Sequence, residues 1–171
     1  MRLSSSLGCL FMLAGIAGCQ EKAAPIVAVG GPTVVAASVI DQGRYVMAIG
    51  SCNNCHTPGF AQSDGDVPET ERLTGNPVGY GGPWGVTYAP NLRMTVATMP
   101  EDEFVTMLAT RKASPPMPWA SVRAMSESDK RAVYRYIKSL GPGGTAMPAA
   151  LPPGVKATTP VENMMPVMPD A

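Results

Sequence analysis

One histidine in 171 residues is the most restrictive feature of this chain. It rules out any metal centre that needs several imidazoles. Aromatic residues make up only 6%, so bulky apolar surface is scarce, and a large core needs a contribution from outside the polypeptide. An excess of either charge is also missing: 13 Lys and Arg balance 13 Asp and Glu. That balance excludes a strongly basic nucleic-acid binder, which carries clustered positive charge. No apolar run reaches the ~20 residues that a membrane-spanning helix requires. Glycine and proline are abundant, at 18 each, roughly a fifth of the chain against ~12% in average usage. They predict much loop and little regular sheet. The length suits one domain, or at most two small ones.

Residues 1–18 read as an export signal. Arg2 supplies the positive start, and Leu7 to Gly18 form an apolar stretch of about twelve residues, too short to span a bilayer. The stretch ends Ile16-Ala17-Gly18-Cys19, which resembles the lipobox of bacterial lipoproteins. The resemblance implies that Cys19 carries diacylglycerol, that cleavage falls just before it, and that its new amine is acylated. Several acyl chains anchor stably where a single chain binds only marginally. The expected location is the periplasmic side of a bacterial membrane, and Gln20 in place of Asp after the cysteine leans towards the outer one. Without Arg2 no bulk positive charge remains for nucleic acid or anionic lipid.

Residues 19–37 have small residues, Pro and a Gly-Gly pair but no periodic stripe, and read as a flexible tether. A domain is expected over 38–141, mostly α, with three helical signals. The first runs from Val39 to Asn53, with Val39, Gly43, Val46, Met47 and Gly50 on one face. The second opens at the capping box Thr98-Met99-Pro100-Glu101 and continues through Phe104, Val105 and Leu108. The third opens at Ser126, with Glu127 and Asp129 favouring the helix dipole. Ala132, Val133, Tyr136, Ile137 and Leu140 make its stripe, and Gly141-Pro142 stops it. Between the first two lies a long loop, 57–97, with Gly75, Gly79, Gly81, Gly82 and Gly85 close together. Loops of such length are uncommon in compact domains unless functional, and a large buried ligand would give this one something to wrap. The tail, 142–171, is rich in Pro and Met without periodicity. It is expected to lack a fold of its own, though it is apolar enough to lie against the domain.

The chemistry concentrates at Cys52-Asn53-Asn54-Cys55-His56, a C-x-x-C-H sequence that marks attachment of c-type haem. Two thiols three positions apart on a helical turn reach two vinyl groups of one porphyrin, and the next residue sets its imidazole under the iron. A zinc site needs four ligands, and the mature chain has only these two thiols and one imidazole. A redox-active Cys pair would sit in a βαβ setting, for which strands are lacking. A disulfide closing so small a loop would add little stability. The cysteines are then fully assigned: Cys9 leaves with the signal, Cys19 takes lipid, and Cys52 and Cys55 take one haem.

Because His56 is the sole histidine, the second axial ligand is Met, a weaker donor, or absent. Met117 lies in Ser114-Pro115-Pro116-Met117-Pro118-Trp119, where the prolines hold the chain extended and make a rigid strap for a thioether. Met94 and Met125 are alternatives, as is an open position. Met99 sits in a capping turn, and Met107 falls within a helix and reads as core. Tyr80, Trp84, Tyr88, Asn91, Arg93 and Trp119 are candidates to wall a haem or bond its propionates. The basic residues from Arg111 to Lys138 read as a solvated helix face. The thioethers of Met164, Met165 and Met168 suit Cu(I), but no Cys or His accompanies them, and they read as a covering tail.

Over residues 39–141 the C-x-x-C-H helix, Pro90-Asn91-Leu92, the Met117-Pro118 strap and the last helix MSESDKRAVYRYIKSL together resemble class I cytochromes c, most nearly the single-haem modules of bacterial alcohol- and aldehyde-dehydrogenase cytochrome subunits. The resemblance implies helices packed around one covalent haem, with the first and last crossing where Gly43 admits an aromatic such as Tyr134. It implies that the Pro90 carbonyl accepts the Nδ1 proton of His56. It implies an electron carrier rather than an enzyme, exchanging single electrons with a periplasmic dehydrogenase or respiratory complex and an oxidase or other cytochrome. A haem enzyme or gas-binding module with an open sixth position is the rival reading. The long insert before Pro90 and the Met-Pro tail depart from the minimal pattern.

Overall fold

The computed structural model describes residues 33–113 and 115–167; the signal, Cys19 and most of the tether lie outside the described residues. In chain order these residues form α1 (Val39–Ile49), α2 (Cys52–His56), a 3-10 turn (Glu69–Glu71), β1 (Gly79–Gly82), β2 (Gly85–Tyr88), α3 (Leu92–Thr98), α4 (Glu101–Thr110), α5 (Trp119–Ala124), α6 (Glu127–Ser139) and β3 (Val161–Asn163). None of these helices is long and apolar enough to cross a membrane.

Helices α1 and α6 form the frame. Ser38 caps α1 by accepting the Asp41 N–H, and Ser126 caps α6 by accepting the Asp129 N–H, so each helix has a defined first turn. Their apolar stripes face each other. Gly43, Val46 and Met47 of α1 are buried, as are Ala132, Val133, Tyr136 and Ile137 of α6. Gly43 permits the close crossing, but its partner is not Tyr134. A Cβ at Gly43 would lie 2.1 Å from the Ala132 carbonyl oxygen and 2.7 Å from Tyr136 Cβ. Positions 132 and 136 are four apart and share a helix face, whereas 134 points elsewhere. The Tyr134 ring instead tilts against Phe104, 5.5 Å between centroids, and its hydroxyl donates to the Met99 carbonyl.

The first helix does not run unbroken to Asn53. Gly50 and Ser51 turn their N–H groups back to Val46 and Ala48, and Ser51 takes a left-handed φ of 53°. This break lets α2 start in a new direction at Cys52. The expected loop 57–97 holds more structure than the sequence suggested: the 3-10 turn, an antiparallel hairpin and α3. The tail is likewise organised. It contributes β3, parallel to β1 in a sheet of order β2-β1-β3, and Leu151 bridges Val86 of β2. The dense glycines have a packing cause. A Cβ at Gly85 would meet the Leu151 carbonyl oxygen at 2.0 Å, and one at Gly81 would meet Val161 at 2.8 Å. Absent side chains thus let the tail lie directly on the hairpin.

Arg93 fastens the end of the domain. Its guanidinium is buried and donates to the carbonyls of Thr70, Leu140, Gly141 and Pro142. The carbonyls of the turn that follows α6, Leu140 to Pro142, are thus satisfied by one cation that also ties them to Thr70. Asp129 fastens the beginning: buried at the start of α6, it accepts from Gln42 Nε2 at 2.8 Å, Thr33 Oγ1 at 3.0 Å and Val34 N at 3.1 Å.

Candidate functional site

Helix α2 is a single turn, and its placement comes from both sides. Behind it is the α1–α6 crossing. Beneath it, Thr57 is fully buried, with its hydroxyl donating to Asn53 Oδ1 and accepting the Leu73 N–H, both at 2.8 Å. The His56 carbonyl accepts from Gly75 N at 2.8 Å. These bonds fix the turn without using either cysteine sulfur.

His56 is 4% exposed. Its Nδ1 lies 2.9 Å from the Pro90 carbonyl oxygen, and since a carbonyl only accepts, Nδ1 carries the proton. Burial lowers the imidazole pKa, and the Pro90 contact opposes that only in part. The ring is consequently neutral at neutral pH, with its lone pair on Nε2, which finds no hydrogen-bond partner among the described residues. This is the tautomer a metal-binding histidine adopts, with the second-shell acceptor that raises its basicity.

Cys52 and Cys55 are unjoined and half-buried. Burial pushes the Cys52 thiol up to about 11, so it stays protonated at neutral pH. With His56 they do not converge into a three-donor metal cluster; none occurs among the described residues. Two free thiols and one ring nitrogen suit attachment to separate points of a flat ligand. Tyr80 of the hairpin lies near Cys55, and burial raises the pKa of its hydroxyl.

Met117 is partly buried against the core, together with Cys52, Leu92, Met99, Met107, Trp119 and Met125. Met94 is 44% exposed on α3, a poor place for an interior ligand. The strap is not extended as its prolines suggested: Pro115 and Pro116 lie in a turn, Met117 sits at a bend closed by the Trp119 N–H on its carbonyl, and α5 begins at Trp119. Trp119 provides the sharpest sign of a missing partner. Its indole Nε1 is the one buried side-chain nitrogen or oxygen among the described residues without a hydrogen bond. Such orphaned donors are costly and call for an explanation. A porphyrin carboxylate is an acceptor of the required kind, so the residues present fit a covalently held haem.

The other proposed wall residues have different partners. Trp84 folds over Gly82 and donates to the Tyr80 carbonyl. The Tyr88 hydroxyl pairs with Thr159. Asn91 caps α3 and donates to the Gly143 and Thr145 carbonyls, and Arg93 is committed to four carbonyls. Much of the basic face is also committed: Arg131 and Arg135 pair with Glu101, and Lys130 and Lys138 donate to backbone carbonyls. Sequence reasoning overlooked two residues that shape the site, Lys130 and Thr87. Neither carries a local motif; each acts through a partner remote along the chain or inside a neighbouring turn.

Compared with family models, with curated proteins and with solved structures, the chain matches none.

Proposed function

We propose that the chain is a lipid-anchored c-type cytochrome with a single haem, which passes single electrons between a periplasmic dehydrogenase or respiratory complex and an oxidase or other cytochrome. One observation carries the reading: a buried, neutral His56, oriented by the Pro90 carbonyl, follows two free thiols in a C-x-x-C-H turn.

Cys52 and Cys55 would hold the haem through thioethers. When bound, haem supplies a one-electron iron couple. His56 would bind its iron through Nε2, with Pro90 keeping the ring oriented. Met117 would offer its thioether as the second protein ligand, and a Met–His pair raises the reduction potential. Trp119 would donate its indole N–H to a propionate. Two protein ligands would leave no place for substrate, which supports a carrier rather than an enzyme. Apolar area from the porphyrin supplements a core poor in aromatics. Cys19 as the lipid site, and the segment ahead of the Thr33 and Val34 contacts with Asp129 as the tether, would keep the domain within reach of membrane-bound partners.

The test is to express the full chain with a cytochrome c maturation system, extract it with acid–acetone, and record its spectra. Colour that stays with the protein, a low-spin spectrum and a ferric sulfur-to-iron charge-transfer band are expected. Colour that washes out removes the proposal. A high-spin spectrum with ready carbon monoxide binding points instead to an open sixth position.

A further inference from the structure

We propose that Thr87 is a positioning residue for the sixth ligand: the insert hairpin, held by the C-terminal tail, braces the Met117 strap through the hydrogen bond from Thr87 to Pro115. The inference rests on Met117 being the ligand, as proposed above.

The strap is secured at both ends, by unlike means. Downstream, the buried Lys130 ammonium donates to the carbonyls of Arg123 at 3.0 Å and Met125 at 2.7 Å. This ties the end of α5 to the core helix α6. Arg111 lies over the Trp119 ring at 5.1 Å, and Trp119 N donates to the Met117 carbonyl at 2.8 Å. Upstream, two residues before Met117, Thr87 Oγ1 donates to the Pro115 carbonyl at 2.8 Å. Thr87 belongs to β2, and β2 rests on the tail. Val86 and Leu151 exchange both backbone hydrogen bonds at 2.9 and 2.8 Å, and the Tyr88 hydroxyl pairs with Thr159 at 2.8 Å. Strand β1 is gripped at both ends, by Gly79 N donating to Pro160 and by Met164 N donating to Gly81.

The downstream anchor is built into the core. The upstream one is a single contact whose footing is a three-stranded sheet that needs the tail. Release at that end lets the strap swing away about α5. The departure of insert and tail from the minimal pattern thus has one cause: together they hold the thioether in place against competing ligands.

The experiment uses the full-length haem-loaded protein and titrates the ferric form with imidazole, which competes with the Met thioether. Thr87→Val removes the hydroxyl with little change of shape. It should raise imidazole affinity about five-fold, the worth of one ordinary hydrogen bond, and weaken the sulfur-to-iron band. Thr87→Ser keeps the hydroxyl and should restore both. Leu151→Pro deletes the N–H that meets Val86 and should act in the same direction, and combining it with Thr87→Val should add less than the sum of the two. Unchanged imidazole affinity in Thr87→Val, or a Ser variant no better than Val, overturns the inference while leaving the carrier reading intact. Absence of the sulfur band from the unmutated protein overturns the Met117 assignment and this inference with it.

Discussion

Substituting Gly43 by alanine sets two physical effects of opposite sign against each other. Helix propensity alone favours the change by about 1 kcal/mol, since alanine loses less backbone entropy than glycine. Packing opposes it. The new Cβ would stand 2.1 Å from the Ala132 carbonyl oxygen, 2.6 Å from its carbonyl carbon and 2.7 Å from Tyr136 Cβ. Two of these are backbone atoms of α6, so no rotamer change relieves the clash. Restoring ordinary contacts of about 3.5 Å requires the helices to separate by about 1–1.5 Å, and a gap of that size forfeits at least a quarter to a half of the attraction between the facing atoms. The buried neighbours Val46 and Met47 each represent ~1.5–3 kcal/mol of burial. Losing that share of both, together with strain of the usual overpacking size, costs about 3–4 kcal/mol. The net expectation is a loss of about 2–3 kcal/mol, equivalent to a midpoint roughly 4–12 °C lower for a chain of this size. Urea and thermal unfolding of the haem-loaded protein, followed by far-UV circular dichroism, measure it. A variant as stable as the parent, or more so, refutes the helix crossing described here.

Two further outcomes are expected. Met117→Ala should remove the sulfur-to-iron band and lower the reduction potential by at least about 60 mV, tenfold in a one-electron equilibrium; a potentiometric titration with the band and potential unchanged would reassign the ligand. Asp129→Asn bears on pH. Burial alone would raise this carboxyl, but Gln42, Val34, Ser126 and Thr33 donate to it and hold it below its ordinary value of 3.8. A carboxylate depressed in the folded state contributes stability above that value and loses it as pH falls through the folded pKa. At pH 7 the variant should be less stable by about 2 kcal/mol, the worth of hydrogen bonds to a charged group, and the difference should shrink below about pH 4. A difference that stays constant from pH 7 to pH 3 in urea unfolding would show that the charge of Asp129 contributes nothing.

What could be read from the sequence was what depends on near neighbours. The cap at Ser126, the buried stripes of α1 and α6, and the spacing of Cys52, Cys55 and His56 all arise within a few residues, where helical geometry fixes which side chains share a face; the capping box at Thr98 does not form, because Thr98 ends α3 and α4 starts after Pro100 without a side-chain cap. The glycine-rich insert and the Pro-Met tail could not be read this way. Neither has a periodicity of its own; the insert pairs on itself as a hairpin, and the tail becomes a strand only against it, Gly79 to Gly81 meeting Val161 to Asn163 across some eighty residues. Gly43 signalled a close approach but not which residue approaches, since α6 had first to be set in rotation against α1. Arg93 looked like a charge for a propionate and is instead bound by four carbonyls, three from the turn after α6 and one from Thr70, which only the folded chain brings together. Local order was encoded by pattern; the placement of a hydrogen-bond partner tens of residues away was decided by how the packed helices and the tail leave room for it.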